Sequence, residues 1–212
     1  MKRCFICKQK RPGKSGILSM RYIVYISILL ITFSGCSSGN DYSPKPRGYF
    51  RIELPEKRYQ RFDSDCKFSF DYPVYASVVA DSSKESKHCW LNVAYPRFNS
   101  RIHLSYHPVS SQKAFNALVE DTRKLAFKHT VKATAIDEAW ISYPNNKVYG
   151  TFYSIKGNTA SAIQFFLTDS TRNYLRGSLY FNELPRQDSI QPVLDFIRKD
   201  IDVMIKSFKW KD

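Results

Sequence analysis

The chain predicts an α+β fold: an antiparallel sheet of about six or seven strands with two amphipathic helices packed on it. Three observations predict it. Apolar and polar residues alternate with period two in segments from Lys67 to Asn182, giving way to a helical stripe once midway and once at the end. The links Pro144-Asn-Asn146 and Lys156-Gly-Asn158 carry residues that tolerate positive φ, as tight hairpins require. The part of the 212-residue chain beyond a leader is long enough to bury one proper core.

Taken in order, the first strand is Lys67-Phe-Ser-Phe-Asp-Tyr72, in which Phe68, Phe70 and Tyr72 share one face. Pro73 breaks it, and Tyr75 to Ala80 is expected to return as a second strand. A polar loop, Asp81 to His88, leads to Trp90-Leu-Asn-Val-Ala-Tyr95. In Arg101 to His107, Ile102, Leu104 and Tyr106 point inward while Arg101, His103, Ser105 and His107 point outward. The period then changes: Phe115, Leu118, Val119, Thr122, Leu125 and Ala126 form a stripe between Ser111 and Lys128, with Ser110 or Ser111 as the cap. Four strands come next as an antiparallel meander: Ala133 to Tyr143, Lys147 to Ile155, Ser161 to Thr168 and Tyr174 to Asn182. The closing helix is expected from Ile190 to Phe208, with Pro192 in its first turn and Leu194, Ile197, Ile201, Met204, Ile205 and Phe208 along one side. Each helix would cover part of the sheet.

Ahead of these elements, Arg21 leads a dozen mostly apolar residues that end in Ser34, Gly35 and Cys36. This is the layout of a bacterial lipoprotein signal, cut before Cys36 so that the cysteine is acylated. The stretch is too short to cross ~30 Å of hydrocarbon. Each buried methylene contributes about 0.8 kcal/mol, so a multiply acylated Cys36 would hold the chain to a membrane. An ordinary secretory leader with a chance cysteine is the alternative, and Phe33 stands where an aliphatic residue is usual. Residues 1–35 are thus expected to be the signal peptide, with Met20 as an alternative start. The Cys4-x-x-Cys7 pair upstream has no second pair at metal-ligand spacing. Residues 36–48, rich in Ser, Gly and Pro, would form the lipidated end and tether, and 49–212 a single domain. Seven of the 33 basic residues and none of the 19 acidic ones precede Cys36, so the formal charge falls from +14 to +7 after cleavage. That balance suits anionic lipid or an acidic partner. Nucleic acid is a poor candidate for an exported chain without a recognised motif.

Only Cys66 and Cys89 remain beyond Cys36, and an even pair in an exported protein reads first as a disulfide, with two buried thiols as the alternative. No catalytic, cofactor or metal site stands out. The His103-x-x-x-His107 spacing falls on a strand, which parts the two rings by about 13 Å at ~3.3 Å per residue. The neighbouring acids Glu120-Asp121 and Asp137-Glu138 point in different directions and read as solvated surface. Neither a Gly-x-Ser-x-Gly elbow nor a phosphate-cradling glycine loop occurs. An enzyme is therefore not expected, and an envelope hydrolase is the least favoured reading.

The order of elements resembles the PsbP/Mog1-like fold, which has an early Phe-x-Phe-x-Tyr-Pro strand (here Phe68 to Pro73), a helix midway, a meander, and a closing helix ending near Ser207-Phe208. The segments Pro44 to Tyr59, Cys66 to Ala76, Cys89 to Pro96 and Lys128 to Ala133, in this order, resemble the gliding-motility lipoprotein family GldD. The extended N-terminus and Phe33 depart from its pattern. The resemblance implies a cell-envelope lipoprotein required for gliding and linked to type IX secretion, with no catalytic residues. A scaffold role is the expectation, with the lipid anchor at a membrane and other gliding or secretion proteins as partners. Arg47, Tyr49, Phe50 and Arg51 are the expected contact residues, or else part of a strap packed on the domain. The alternative is a periplasmic module that binds a lipid or small ligand. A periplasm-facing anchor is expected because no acidic export tract comes after Cys36, and Ser37 favours the outer membrane over the inner.

Overall fold

The computed structural model describes residues 22, 25, 48 and 51–211. Met20, Cys36, Arg47, Tyr49 and Phe50 lie outside the described residues. The chain divides into two compact units, 1–48 and 49–212.

The elements of the second unit are β1 (Tyr59–Asp63), β2 (Phe68–Pro73), β3 (Ser77–Ala80), β4 (Leu91–Tyr95), β5 (Ser100–Pro108), α1 (Gln112–Phe127), β6 (Ala133–Tyr143), β7 (Val148–Gly157), β8 (Ile163–Thr168), β9 (Asn173–Phe181), α2 (Gln187–Ser207) and β10 (Lys209–Trp210). Seven strands form one antiparallel sheet in the order β3-β4-β5-β9-β8-β7-β6, and β1-β2-β10 form a second, smaller one. The expected α+β architecture is present, with a helix on each face of the large sheet. On one face α2 and β2 bury Ile197, Ile201, Met204, Phe68 and Phe70 against Val93, Ile102, Leu104, Phe165 and Leu179. On the other, α1 packs Phe115, Leu118 and Ala126 on Tyr153, Phe166 and Tyr174. Close approach at the sheet centre needs Gly177, since a Cβ there would fall 2.1 Å from the Phe165 ring. Ser111 caps α1, its Oγ accepting from the Ala114 N–H at 3.2 Å.

Four local details differ from the expectations drawn from sequence. Tyr59–Asp63, which the sequence reading assigned to no element, is a strand whose alternation is too short to announce itself. β2 does not pair with the returning chain: both its edges are taken, by β1 and β10, and β3 pairs with β4 instead. In the Pro144–Asn146 turn the left-handed residue is Lys147, at φ 52°. Finally, α2 starts at Gln187 and leaves Pro192 inside it. Its start is pinned by tertiary contacts rather than by a cap, since the Gln187 N–H donates to Asn158 Oδ1 and its side chain accepts from Gly157 N–H.

Cys66 and Cys89 form a disulfide with Cα atoms 5.6 Å apart. Both cysteines are buried, and the bridge ties the entry of the small sheet to the approach to β4 of the large one.

Candidate functional site

Residues 51–58 lead into β1 as an irregular strap over the domain. Arg51, the one described member of the expected contact set, is exposed at its start. Beyond it Ile52 and Leu54 remain exposed, 37% and 42% respectively, and Glu53 approaches Arg97 at 3.7 Å. The strap is then locked down at Lys57. Its ammonium donates to Asp200 Oδ1 at 2.6 Å and to the Phe196 carbonyl at 2.7 Å, and lies 3.4 Å from the Phe196 ring centroid. Tyr59 and Tyr75 also donate to the Asp200 carboxylate, at 2.9 and 2.7 Å.

Asp200 is fully buried, and this ring of donors is what makes a buried carboxylate tolerable. Burial lowers the Lys57 ammonium below the usual lysine range, against the opposing pull of Asp200. Burial and then the bond to Asp200 push both the Tyr59 and Tyr75 phenols up, so each stays a donor. The arrangement is a clamp between strap and helix. Sequence reading missed Asp200, although a signal was present: it is an acid within the apolar stripe Ile197, Ile201, Met204, and such a position demands a buried partner.

Other sequence candidates are dispersed. His103 and His107 lie on one face of β5, opposite Ser178 and Tyr174, too far apart to share an ion. Among the described residues no group of three or more His, Cys, Asp or Glu is placed to hold a metal. The acidic pairs are surface ion pairs: Asp137 meets Lys156 at 2.8 Å, Glu138 meets Arg123 at 3.9 Å and Glu120 meets Lys124 at 3.8 Å. A half-open cleft of about 540 Å³ lies between the β7–β8 turn and the start of α2, lined by Lys132, Lys156, Gln191 and Arg198 among others. No helix of the described residues is long and apolar enough to cross a membrane.

A disulfide-closed α+β domain with a strap clamped over its last helix is a form suited to an exported, oxidising setting. The chain belongs to the gliding motility lipoprotein GldD family, whose model matches residues 39–210. It is therefore a motility lipoprotein associated with the cell envelope. Comparison with curated proteins finds no match. Among solved structures it is similar to the solution structure of cyanobacterial PsbP from Synechocystis sp. PCC 6803, at 10% identity and a TM-score of 0.42, over 76% of this chain and 97% of that one. A likeness this distant carries no functional argument.

Proposed function

We propose that the protein is a lipid-anchored, non-catalytic accessory or scaffold component of the gliding apparatus, linked to type IX secretion. Residues 1–35 serve as its lipoprotein signal, Cys36 carries the acyl chains, and 36–48 tether the domain. It faces the periplasm, with the outer membrane favoured over the inner. The observation that carries this reading is the family match over residues 39–210, which spans nearly the whole domain. The strap supports a contact role, because Asp200 holds Lys57 down while Arg51, Ile52 and Leu54 stay exposed. Arg47, Tyr49, Phe50 and Arg51 form the proposed contact segment; alanine at all four should impair spreading without lowering stability.

The test is a deletion in the native host, complemented with wild type or Cys36→Ser and scored for colony spreading and secreted proteome together. Joint loss, rescued only by wild type, is expected. Normal spreading and secretion in the deletion overturns the reading. One observation favours a second function, a small-ligand module: the cleft beside α2 falls within the size range of small-molecule sites. A molecule retained in native mass spectrometry, and lost in Arg198→Ala, would support it.

A further inference from the structure

α1 covers only part of its side of the large sheet. It lies over β8 and β9. The face continues through β5 and β4 to β3 with no helix of the described residues above it, because α2 packs on the opposite side. On this open face β5 presents Arg101, His103, Ser105 and His107. The register sets Ser105 directly opposite Arg176 of β9, so their Cβ atoms are about 5 Å apart.

Arg176 is the unusual residue of this face. Its Nη2 donates to Gln164 Oε1 at 3.1 Å, and Gln164 Nε2 lies 3.0 Å from His129 Nε2. With the Gln164 oxygen engaged by the guanidinium, its amide is the donor and His129 the acceptor, which makes His129 a neutral imidazole. Arg176 Nε is buried without a partner. Among the described residues no carboxylate pairs with this guanidinium, and burial lowers its pKa with only Tyr180 and Tyr174 acting the other way. A cation so placed ordinarily has an anion beside it. Its neighbours add none: burial holds His107 and His129 below the usual imidazole range, and nearby cations, Arg176 among them, hold them lower still.

We propose that this open face is a docking surface for an acidic segment of a partner protein, with Arg176 receiving a carboxylate. The proposal rests on the accessory-component reading and gives that contact a place and a chemistry. A planar guanidinium with free N–H groups accepts a carboxylate fork to fork. One partly desolvated arginine ringed by near-neutral polar groups is the usual composition of an interface hot spot. A membrane surface would instead call for a larger basic cluster than Arg101, Arg176 and the nearby Lys87 supply, and the imidazoles between them are held below their usual range by burial. On β4, Asn92 lies opposite His103 and donates to Asp81 Oδ1 at 3.2 Å, so the Asp81 carboxylate sits at the β3–β4 edge of this face, away from Arg176.

The test uses the full lipoprotein in detergent, titrated with an oligoglutamate peptide and with inorganic phosphate, and its unacylated Cys36→Ser form without detergent, mixed with phosphatidylglycerol vesicles. Imidazole NMR signals and calorimetry are the readouts. The peptide should shift the His107 and His129 signals and spare His88, which lies beside Asp65 near the disulfide. Arg176→Gln should weaken binding about tenfold or more. Ser105→Glu provides a second variant: it sets a carboxylate in cis opposite the guanidinium and should abolish peptide binding while the fold is kept. Unchanged affinity in Ser105→Glu overturns the proposal. So does the absence of His107 and His129 shifts with peptide, or binding of phosphate or vesicles where the peptide fails. In the native host, Ser105→Glu should fail to restore spreading. If it restores spreading while wild type and Cys36→Ser behave as proposed, the docking surface is wrong and the accessory reading stands. Full rescue by Cys36→Ser instead overturns the anchored-component reading, and the titration then judges the surface on its own.

Discussion

At Asp200 a single residue decides how the strap is held on the domain. Its carboxylate is buried and receives Lys57, Tyr59 and Tyr75, so removing it strands an ammonium and two phenols at once. Asp200→Ala is expected to cost about 3 kcal/mol, the low end for a broken buried pair because Lys57 keeps some solvent. Urea unfolding measures this, and limited proteolysis should find residues 51–58 cut faster in the variant. Gly177 is decisive for a steric reason. A Cβ at that position would overlap the Phe165 ring, itself fully buried, so neither group has room to move. Gly177→Ala should destabilise by about 1–3 kcal/mol through overpacking, read from the same unfolding curves.

At the scale of elements, the disulfide, the small sheet and the helix cap each hold separate parts together. The Cys66–Cys89 bridge joins the small sheet to the large one across 23 residues of sequence. Reduction should therefore cost roughly 3 kcal/mol in the chain-entropy model, seen as a lower thermal midpoint under dithiothreitol. The aromatic run Phe62, Phe70, Phe68 and Phe208 stacks at centroid distances of 5.0 to 6.1 Å for its successive pairs. It holds β2 between β1 and β10 and explains why the small sheet stays coherent with so few residues. Helix α1 leans on its cap, and Ser111→Ala should lose about 1 kcal/mol, checked by equilibrium unfolding.

For the whole molecule, acid is the expected weakness. Asp63 is held below the usual carboxylate range by its bond to Lys211, and Asp81 by its bond to Ser83. Burial alone would raise Asp169, but backbone N–H groups of Asn173, Thr171 and Arg172 outweigh it and hold it low. Burial likewise depresses His103, His107 and His129. Every one of these groups binds its proton less readily folded than unfolded. The stability they contribute is full above the unfolded values and is lost as pH falls through the folded ones. Urea midpoints should hold steady above about pH 6.5, decline below it as the imidazoles titrate, and fall more steeply below about pH 4 with the carboxyls. A midpoint that rises on acidification would contradict this account.

Much of the fold was legible in the chain because its strands and helices carry strong periods. β4 to β9, α1 with its Ser111 cap, and the buried stripe of α2 lie within a few residues of where alternation and helical spacing put them. These features are local, set by which face of each element meets the core. The family resemblance was likewise read from contiguous residues, and the family match over residues 39–210 agrees with it. Partnership across the fold could not be read in this way. Nothing in Tyr59 to Asp63 says that it pairs with β2, and nothing beside Pro192 says that α2 begins at Gln187, because both depend on contacts with distant chain. The Asp200 clamp joins residues more than a hundred positions apart, and Arg176 lacks a carboxylate only in the context of the assembled sheet. Sequence by itself determined the elements of the large sheet and the two helices, their inward faces and the family. Tertiary structure alone decided strand partners, the strap's attachment and a guanidinium without a carboxylate, because each is a balance of burial and charge among groups that only folding brings together.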